Sequence, residues 1–264
     1  MKFLVIGDPH GTDKIFKMPV DNADAVIIPG DFGNADLLRD LYFNNYDFNA
    51  GKWKKHVTKK DILDAYMQAH DSSIKILEFL AERKPTFVIF GSVEREDDVT
   101  KERNKRHGFS IPLLEKEILR INNMHLLNNR QEEFNGVKIA GNMFFTDVLW
   151  AKSFTPDSVA NLRDAEKSEA RARKFFKTLE HVDILITHQP PYGYLDLVKN
   201  KEAPKTWNGK HAGSPIILDY INKHQPKYHI CGHIHEGKGT VKIGKTTVIN
   251  AGHDGDHQFI EIKI

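Results

Sequence analysis

Acidic residues and histidines come directly after several apolar segments of this sequence. These segments are short and rich in Val, Ile and Leu, which is typical of buried strands; Lys2 to Ile6 is the first of them. Because the carboxyl ends of parallel strands meet at one edge of an α/β sheet, where ligands bind, we expect the polar side chains there to lie close together. The set consists of Asp8 and His10, then Asp31, then His188, then His233 and His235.

Carboxylate oxygens and imidazole nitrogens are ligands that suit divalent transition metals. Six such ligands exceed the protein share of one open catalytic site, so the set predicts two divalent metal ions. Two ions ~3.5–4 Å apart can hold both the attacking and the leaving oxygen of an in-line displacement at phosphorus. Each residue taken alone also fits a turn cap or a core histidine, but their joint placement favours the metal site. The metal identity stays open among Mn, Fe, Zn, Ni and Co.

Strand-like segments alternate with segments of helical periodicity along most of the chain, which predicts an α/β fold. We expect a single domain over residues 1–264, with a partly helical insertion around residues 40–80. The insertion carries Trp53 among lysines. This composition fits contact with an anionic substrate or a solvated loop with one anchoring tryptophan, and the second interpretation is favoured.

The composition limits the cellular compartment and the classes of partner that we expect for this protein. The chain has 264 residues, a formal net charge of +2 and one cysteine, Cys231, so no disulfide within the chain is possible. A single thiol fits a reducing compartment, and no signal peptide or apolar run long enough to span a bilayer is evident, so we expect a cytoplasmic protein without membrane contact. The balanced charge argues weakly against long nucleic acid, which only the Trp53 segment and Lys101 to His107 favour. The oligomeric state stays open.

The order of the motifs resembles that of the calcineurin-like metallophosphoesterase superfamily. The motifs that carry the resemblance are Asp8-x-His10, Gly30-Asp31, Gly91-Ser92-Val93-Glu94, His188 and Gly232-His233-Ile234-His235. The segments around His188, His211 and His233 are most similar to its small, cyclic-nucleotide-phosphodiesterase-like branch. The resemblance implies a four-layer α/β/β/α sandwich of two mixed sheets.

The resemblance also implies roles for these residues. One metal ion would be bound by Asp8, His10 and His235, the other by His188 and His233, with Asp31 bridging the two. The implied reaction is phosphoester hydrolysis, in which hydroxide bridging the two metals attacks phosphorus. The implied substrate is a small phosphorylated molecule, either a phosphodiester or a nucleotide-type phosphate.

One motif departs from the family pattern, in which Gly91 would be followed by Asn and His. Ser92 stands at the Asn position and offers the second metal a weaker neutral oxygen, unless a water fills the gap. Val93 stands at the His position and has no proton to donate. A lost general acid typically removes ~10²–10⁴ of the rate. Three explanations stay open: another histidine substitutes, with His211, His253 and His257 as candidates; the enzyme is slow or needs easy leaving groups; or catalysis is gone.

The last explanation is the alternative function, a non-catalytic scaffold or regulatory protein that binds metal and phosphate. The complete set of six Asp and His ligands favours catalysis over this alternative. His211 is the candidate catalytic residue, although a surface histidine fits its loop nearly as well. Asn34 is the candidate substrate contact, although a turn-forming asparagine is the commoner interpretation.

Overall fold

A computed structural model of the chain describes residues 1–47, 52–53, 57–199 and 206–263. The strands are β1 (Lys2–Ile6), β2 (Ala25–Ile28), β3 (Tyr46–Asp47), β4 (Lys52–Trp53), β5 (Thr86–Val88), β6 (Met124–Leu126), β7 (Arg130–Phe134), β8 (Val137–Asn142), β9 (Ile184–Thr187), β10 (Tyr228–Cys231), β11 (Gly239–Ile243), β12 (Thr246–Asn250) and β13 (His257–Glu261). The helices are α1 (Asp36–Asn45), α2 (Lys59–Ala81), α3 (Asp97–His107), α4 (Leu114–Ile118), α5 (Val148–Phe154), α6 (Val159–Thr178) and α7 (Pro215–His224).

The strands form two large sheets and one small hairpin. The first sheet has the order β13-β1-β2-β5-β6, and the second has the order β11-β12-β10-β9-β8-β7. Both sheets are mixed, because β13 in the first and β7 and β11 in the second run antiparallel to otherwise parallel neighbours. The strands β3 and β4 pair only with each other among the described strands.

Side-chain alternation along the strands builds the layers. In β1, Phe3 and Val5 point into a core that also contains Ile184 and Ile230 of the second sheet. The intervening residue Leu4 packs on the opposite face, in a cluster that includes side chains of α2 and α4. Successive strand residues point to opposite faces, so one apolar run supplies both cores.

The outer face of the second sheet is covered in the same way. Side chains of α6 and α7, among them Phe176 and Ile217, pack with Leu185 and Val248 of that sheet. Helices therefore flank two facing sheets, and the predicted α/β/β/α sandwich of two mixed sheets is confirmed.

Two local differences from the sequence-based expectation have clear causes. A single long helix is expected after Thr155 and Pro156, but Thr155 ends α5, and α6 begins after Ser158, whose hydroxyl accepts the Asn161 N–H at 3.2 Å. The strand β7 is missed because it is a polar edge strand, and only its turn to β8, Asn135-Gly136, is visible in the sequence.

The segment around Trp53 is described only in part. The backbone of β4 pairs with β3, while residues 48–51 and 54–56 lie outside the described residues, so the substrate contact considered for this insertion remains untested. Within the described ranges, no helix has both the length and the apolar character that crossing a bilayer requires.

Candidate metal centre

Six polar side chains converge where the parallel strands of the two sheets end. They form two groups, one of Asp8, His10 and His235 and one of Asp31, His188 and His233. Within each group, one candidate ligand atom per residue lies within 4.8 Å of the others. The strand ends thus bring together all six Asp and His residues that the sequence singles out.

The first group joins the end of β1 to the loop after β10. The His235 Nε2 lies 3.3 Å from Asp8 Oδ2 and 3.3 Å from His10 Nε2. The other carboxylate oxygen, Asp8 Oδ1, is buried and has no hydrogen-bond partner among the described residues. Two imidazole nitrogens and a carboxylate oxygen that lie this close together match the ligand types of a divalent metal site.

The second group is more deeply buried. His188 directs Nδ1 at the Pro29 carbonyl oxygen, 2.8 Å away, and this contact leaves Nε2 facing Asp31 Oδ2 at 3.3 Å. A backbone partner on one ring nitrogen is the usual way to fix which nitrogen of a ligating histidine is free. The His233 ring lies beside the His188 ring, with 4.8 Å between centroids.

Asp31 links the two groups. Its Oδ2 lies 3.3 Å from His188 Nε2 in the second group and 3.9 Å from His10 Nε2 in the first. One carboxylate oxygen thus faces a candidate ligand nitrogen from each group.

The charges at the centre favour a bound cation. Burial opposes protonation of His188, yet the negative charges of Asp31 and Asp8 raise its pKa to about 9. Burial alone would raise the pKa of Asp31, but the charge of His188 holds it well below its usual value. Burial and then the charge of His188 lower the pKa of His233 to about 3, which leaves His233 neutral and able to ligate.

Backbone geometry explains how these side chains reach a common point. His10, Asp31 and His233 all have left-handed φ angles, of 47°, 50° and 65°. Such angles are uncommon for residues other than glycine and often mark functional turns. The preceding Gly232 is required by space, because a Cβ there would lie 2.0 Å from Asp8 Oδ1.

The motif after β5 holds Asp31 from the other side. The Ser92 hydroxyl donates to Asp31 Oδ2 at 2.8 Å, and the Val93 backbone N–H donates to Oδ1 at 2.7 Å. Ser92, predicted as a metal ligand, therefore lies at the centre and contacts the carboxylate that joins the two groups. The Val93 side chain supplies neither a proton nor a polar contact.

Glu94 lies beside the centre, and the sequence reasoning quoted it within a motif but gave it no role of its own. Its carboxylate is buried and accepts backbone N–H bonds from Asp31, Phe32 and Gly91 at 2.8–3.0 Å, and from Gly33 at 3.4 Å. Burial and then the charge of Asp31 raise the pKa of Glu94 to about 7. Glu94 thus ties the loop after β2 to the loop after β5. The only signal in the sequence is its place at the end of the Gly-Ser-Val-Glu motif.

Two further predicted residues lie in loops outside the two groups. Asn34 accepts the Asp36 N–H at 2.9 Å and so closes the turn that begins α1, as its commoner interpretation expects; a substrate contact stays a prediction. The His211 Nδ1 lies 2.7 Å from Asp196 Oδ1, and its side chain is 41% exposed. The buried Asp196 is anchored in turn by the N–H groups of Gly193 and Gly213.

The other two candidate histidines differ in their relation to the centre. The His253 ring stacks on His235, with 4.2 Å between centroids and an interplanar angle of 3°. His257 lies at the start of β13, where its Nδ1 is 3.1 Å from the Gly255 carbonyl oxygen. Of the two, only His253 is shown in contact with a residue of the metal groups.

Comparison with known proteins agrees with this geometry. A family model described as calcineurin-like phosphoesterase matches residues 1–237. Metallophosphoesterase domain-containing protein 1 of Homo sapiens is 40% identical over 86 residues, which cover 32% of this chain and 24% of that protein. A UPF0046 protein of Caenorhabditis elegans is 42% identical over 69 residues, 26% of this chain and 21% of that protein. The matched part thus spans about a quarter of these relatives' own length.

Solved structures show the same fold at low sequence identity. One crystal structure superimposes over 99% of both chains with a TM-score of 0.61 and 17% identity. Phosphopantetheinyl hydrolase from Mycobacterium tuberculosis matches 96% of this chain and 90% of its own, with a TM-score of 0.50 and 11% identity. At these identities the likeness extends to the fold alone.

Proposed function

We propose that this chain, which belongs to the calcineurin-like phosphoesterase family, hydrolyses phosphodiesters or nucleotide-type phosphates with two divalent metal ions. The observation that carries the proposal is the position of Asp31, whose Oδ2 faces His188 Nε2 at 3.3 Å and His10 Nε2 at 3.9 Å. A carboxylate placed between two sets of ligand atoms is suited to bridge two cations.

The residues would divide as their grouping suggests. Asp8, His10 and His235 would hold one ion, and His188 and His233 the other, with Asp31 shared. When bound, the ions supply Lewis acidity that neutralises charge on the phosphate and activates water. The Ser92 hydroxyl and the Val93 N–H would fix the rotamer of Asp31, since each donates to one of its oxygens.

We assign His211 as the proton donor to the leaving group in place of the histidine missing at position 93. The Asp196 carboxylate orients its ring and directs Nε2 away, in the arrangement that prepares an imidazole for acid–base work. Because this donor stands on a loop and is partly exposed, we expect attenuated activity with poor leaving groups and better activity with acidic ones. Asn34, whose Oδ1 is engaged in the turn at the start of α1, would contact the substrate through its side-chain NH₂ group.

A specific observation favours a second function, that of a non-catalytic scaffold that binds metal and phosphate. Val93 carries no proton, and the Ser92 hydroxyl already donates to Asp31. The scaffold predicts bound metal without turnover, whereas the phosphoesterase predicts both.

The test combines metal content with turnover on one sample. The protein is loaded with manganese, metal per chain is counted by mass spectrometry, and hydrolysis of bis-p-nitrophenyl phosphate is followed for wild type, Asp31→Asn and Asp164→Asn. Asp164 is an exposed carboxylate on α6 and serves as the matched control. Two metals with turnover that falls at least roughly a hundredfold in Asp31→Asn alone would support the phosphoesterase. Two metals without turnover would favour the scaffold, and one metal or none would contradict the two-metal centre.

A further inference from the structure

A cavity of about 340 Å³ adjoins the candidate metal centre between α1, α2, α3 and the loop after β5. Ser92 and Val93 line this cavity, and both donate hydrogen bonds to Asp31. The wall of the cavity and the carboxylate that links the two metal groups are therefore joined through these two residues. Its size lies at the lower end of the range for small-molecule sites.

Three arginines from separate elements line the cavity: Arg39 on α1, Arg95 after β5 and Arg103 on α3. Among the described lining residues the one carboxylate is Glu94, and its oxygens accept four backbone N–H bonds. Three guanidinium groups against one carboxylate leave the wall of the cavity with a net positive charge. We call this cavity the arginine cavity.

The arginines are held in different ways. The Arg103 guanidinium lies over the Tyr66 ring, 4.3 Å from its centroid, and this stacking engages its face rather than the edge that carries the N–H donors. Arg95 donates to the backbone carbonyl oxygens of Ser92 and Glu94. Arg39 has Asp36 at 3.9 Å and is 45% exposed. Arg103 and Arg39 are thus the two arginines best placed to take an anion.

We propose that the arginine cavity binds a second phosphate group on the substrate, so that the preferred substrates are phosphoesters whose organic part carries another phosphate. This inference rests on the proposed function for the reacting phosphate, while the cavity itself is a separate anion site. The Tyr42 and Tyr66 rings on its wall supply apolar surface for the part of the molecule between the two phosphates.

The test uses two chromogenic esters that differ by one phosphate: the p-nitrophenyl ester of thymidine 5′-phosphate, and the same ester with a 3′-phosphate. In both, the oxygen of water bonds to phosphorus and p-nitrophenolate leaves, so the same absorbance reports both. We expect the 3′-phosphate to lower KM about tenfold or more in the manganese-loaded wild-type chain, the value of one charge-assisted hydrogen bond. Arg103→Gln and Arg39→Gln should each remove most of this KM difference. Arg106→Gln, exposed on the same helix as Arg103, should retain it.

Equal KM values for the two esters in wild type, or an undiminished difference in both cavity variants, would overturn the inference. If neither ester is hydrolysed, the proposed function fails and the cavity is judged by calorimetric binding of thymidine 5′-phosphate and thymidine 3′,5′-bisphosphate to the same samples. The anion site is supported if the wild-type chain binds the bisphosphate more tightly than the monophosphate, if Arg103→Gln or Arg39→Gln abolishes this difference, and if Arg106→Gln retains it. Equal binding of the two nucleotides would overturn it. Melting temperatures identify a variant that has lost its fold, and the other cavity variant then decides.

Discussion

The buried histidine of strand β10, His229, should make the stability of this chain fall in mild acid. The Thr187 hydroxyl donates to the Gln189 carbonyl oxygen at 2.6 Å, so His229 Nε2 donates to Thr187 at 2.7 Å. Its Nδ1 is buried with no hydrogen-bond partner among the described residues, and burial lowers the pKa of His229 to about 3. Below about pH 6.5, His229 binds a proton in the unfolded chain but not in the folded chain. The free energy of unfolding therefore decreases as the pH falls from about 6.5 towards 3.

The size of this effect follows from the two pKa values. At pH 5 the unfolded histidine is almost fully protonated and the folded one is not, which costs the folded state about 2 kcal/mol. His229→Phe keeps a ring of similar size that cannot take up a proton. At pH 7.5 the free energy of unfolding of the variant should be about 1 kcal/mol lower than that of wild type, because the hydrogen bond to Thr187 is lost. Between pH 7.5 and pH 5, the free energy of unfolding of the variant should then fall by about 2 kcal/mol less than that of wild type.

Urea unfolding followed by tryptophan fluorescence at both pH values measures the two losses. A chelator is present throughout, so that release of metal in acid does not contribute. The control is His107→Phe at an exposed position at the end of α3, which should follow wild type within about 0.5 kcal/mol. If His229→Phe loses as much stability as wild type between the two pH values, His229 is not the buried neutral group inferred from its contacts.

Three further changes test other parts of the structure. Val93→His should raise kcat roughly tenfold to a hundredfold for an alkyl phosphodiester, whose alkoxide leaving group needs a proton donor, and an unchanged kcat with that substrate would refute a missing general acid as the limit on the rate. Phe87→Ala should lower the free energy of unfolding by about 3–5 kcal/mol, because Phe87 is fully buried between the sheets; a loss below about 1 kcal/mol in urea unfolding would contradict this packing. Burial opposes ionisation of Asp183, but the Lys138 N–H at 2.9 Å and Lys227 Nζ at 3.0 Å hold its pKa below the usual value. Asp183→Asn should therefore cost about 1–2 kcal/mol at pH 7. That gap should close as the pH falls below about 3.8, and a gap that persists in acid would refute the assignment.

The sheets and the metal groups were accessible from sequence because the strands are short, apolar and followed at once by polar residues. Asp8 and Asp31 each follow an apolar run and a glycine, and parallel pairing forces such positions to one edge. The sequence does not indicate which other polar groups contact each of these carboxylates. Asp31, for example, is fixed by groups of Ser92 and Val93 that lie 61 and 62 residues away.

Residues that act through the backbone were the hardest to predict. Glu94 resembles any other acidic residue in a loop, and only the fold shows that it accepts N–H bonds from two separate loops. The arginine cavity has the same origin, since Arg39 and Arg103 lie on different helices that show no charge pattern pointing to a shared site. The predicted helix boundary near Thr155 was wrong because neighbouring residues that can cap a helix differ little in their preference for that position.

Each metal group takes its residues from both sheets, and this has a mechanical consequence. Asp8, His10 and Asp31 follow strands of the first sheet, whereas His188, His233 and His235 follow strands of the second. A cation bound by either group would act as a crosslink between the two halves of the sandwich. Metal at a hundred times its Kd would add about 2.7 kcal/mol per site to global stability. Backbone amide exchange should then slow in both sheets together, well beyond the loops that hold the ion.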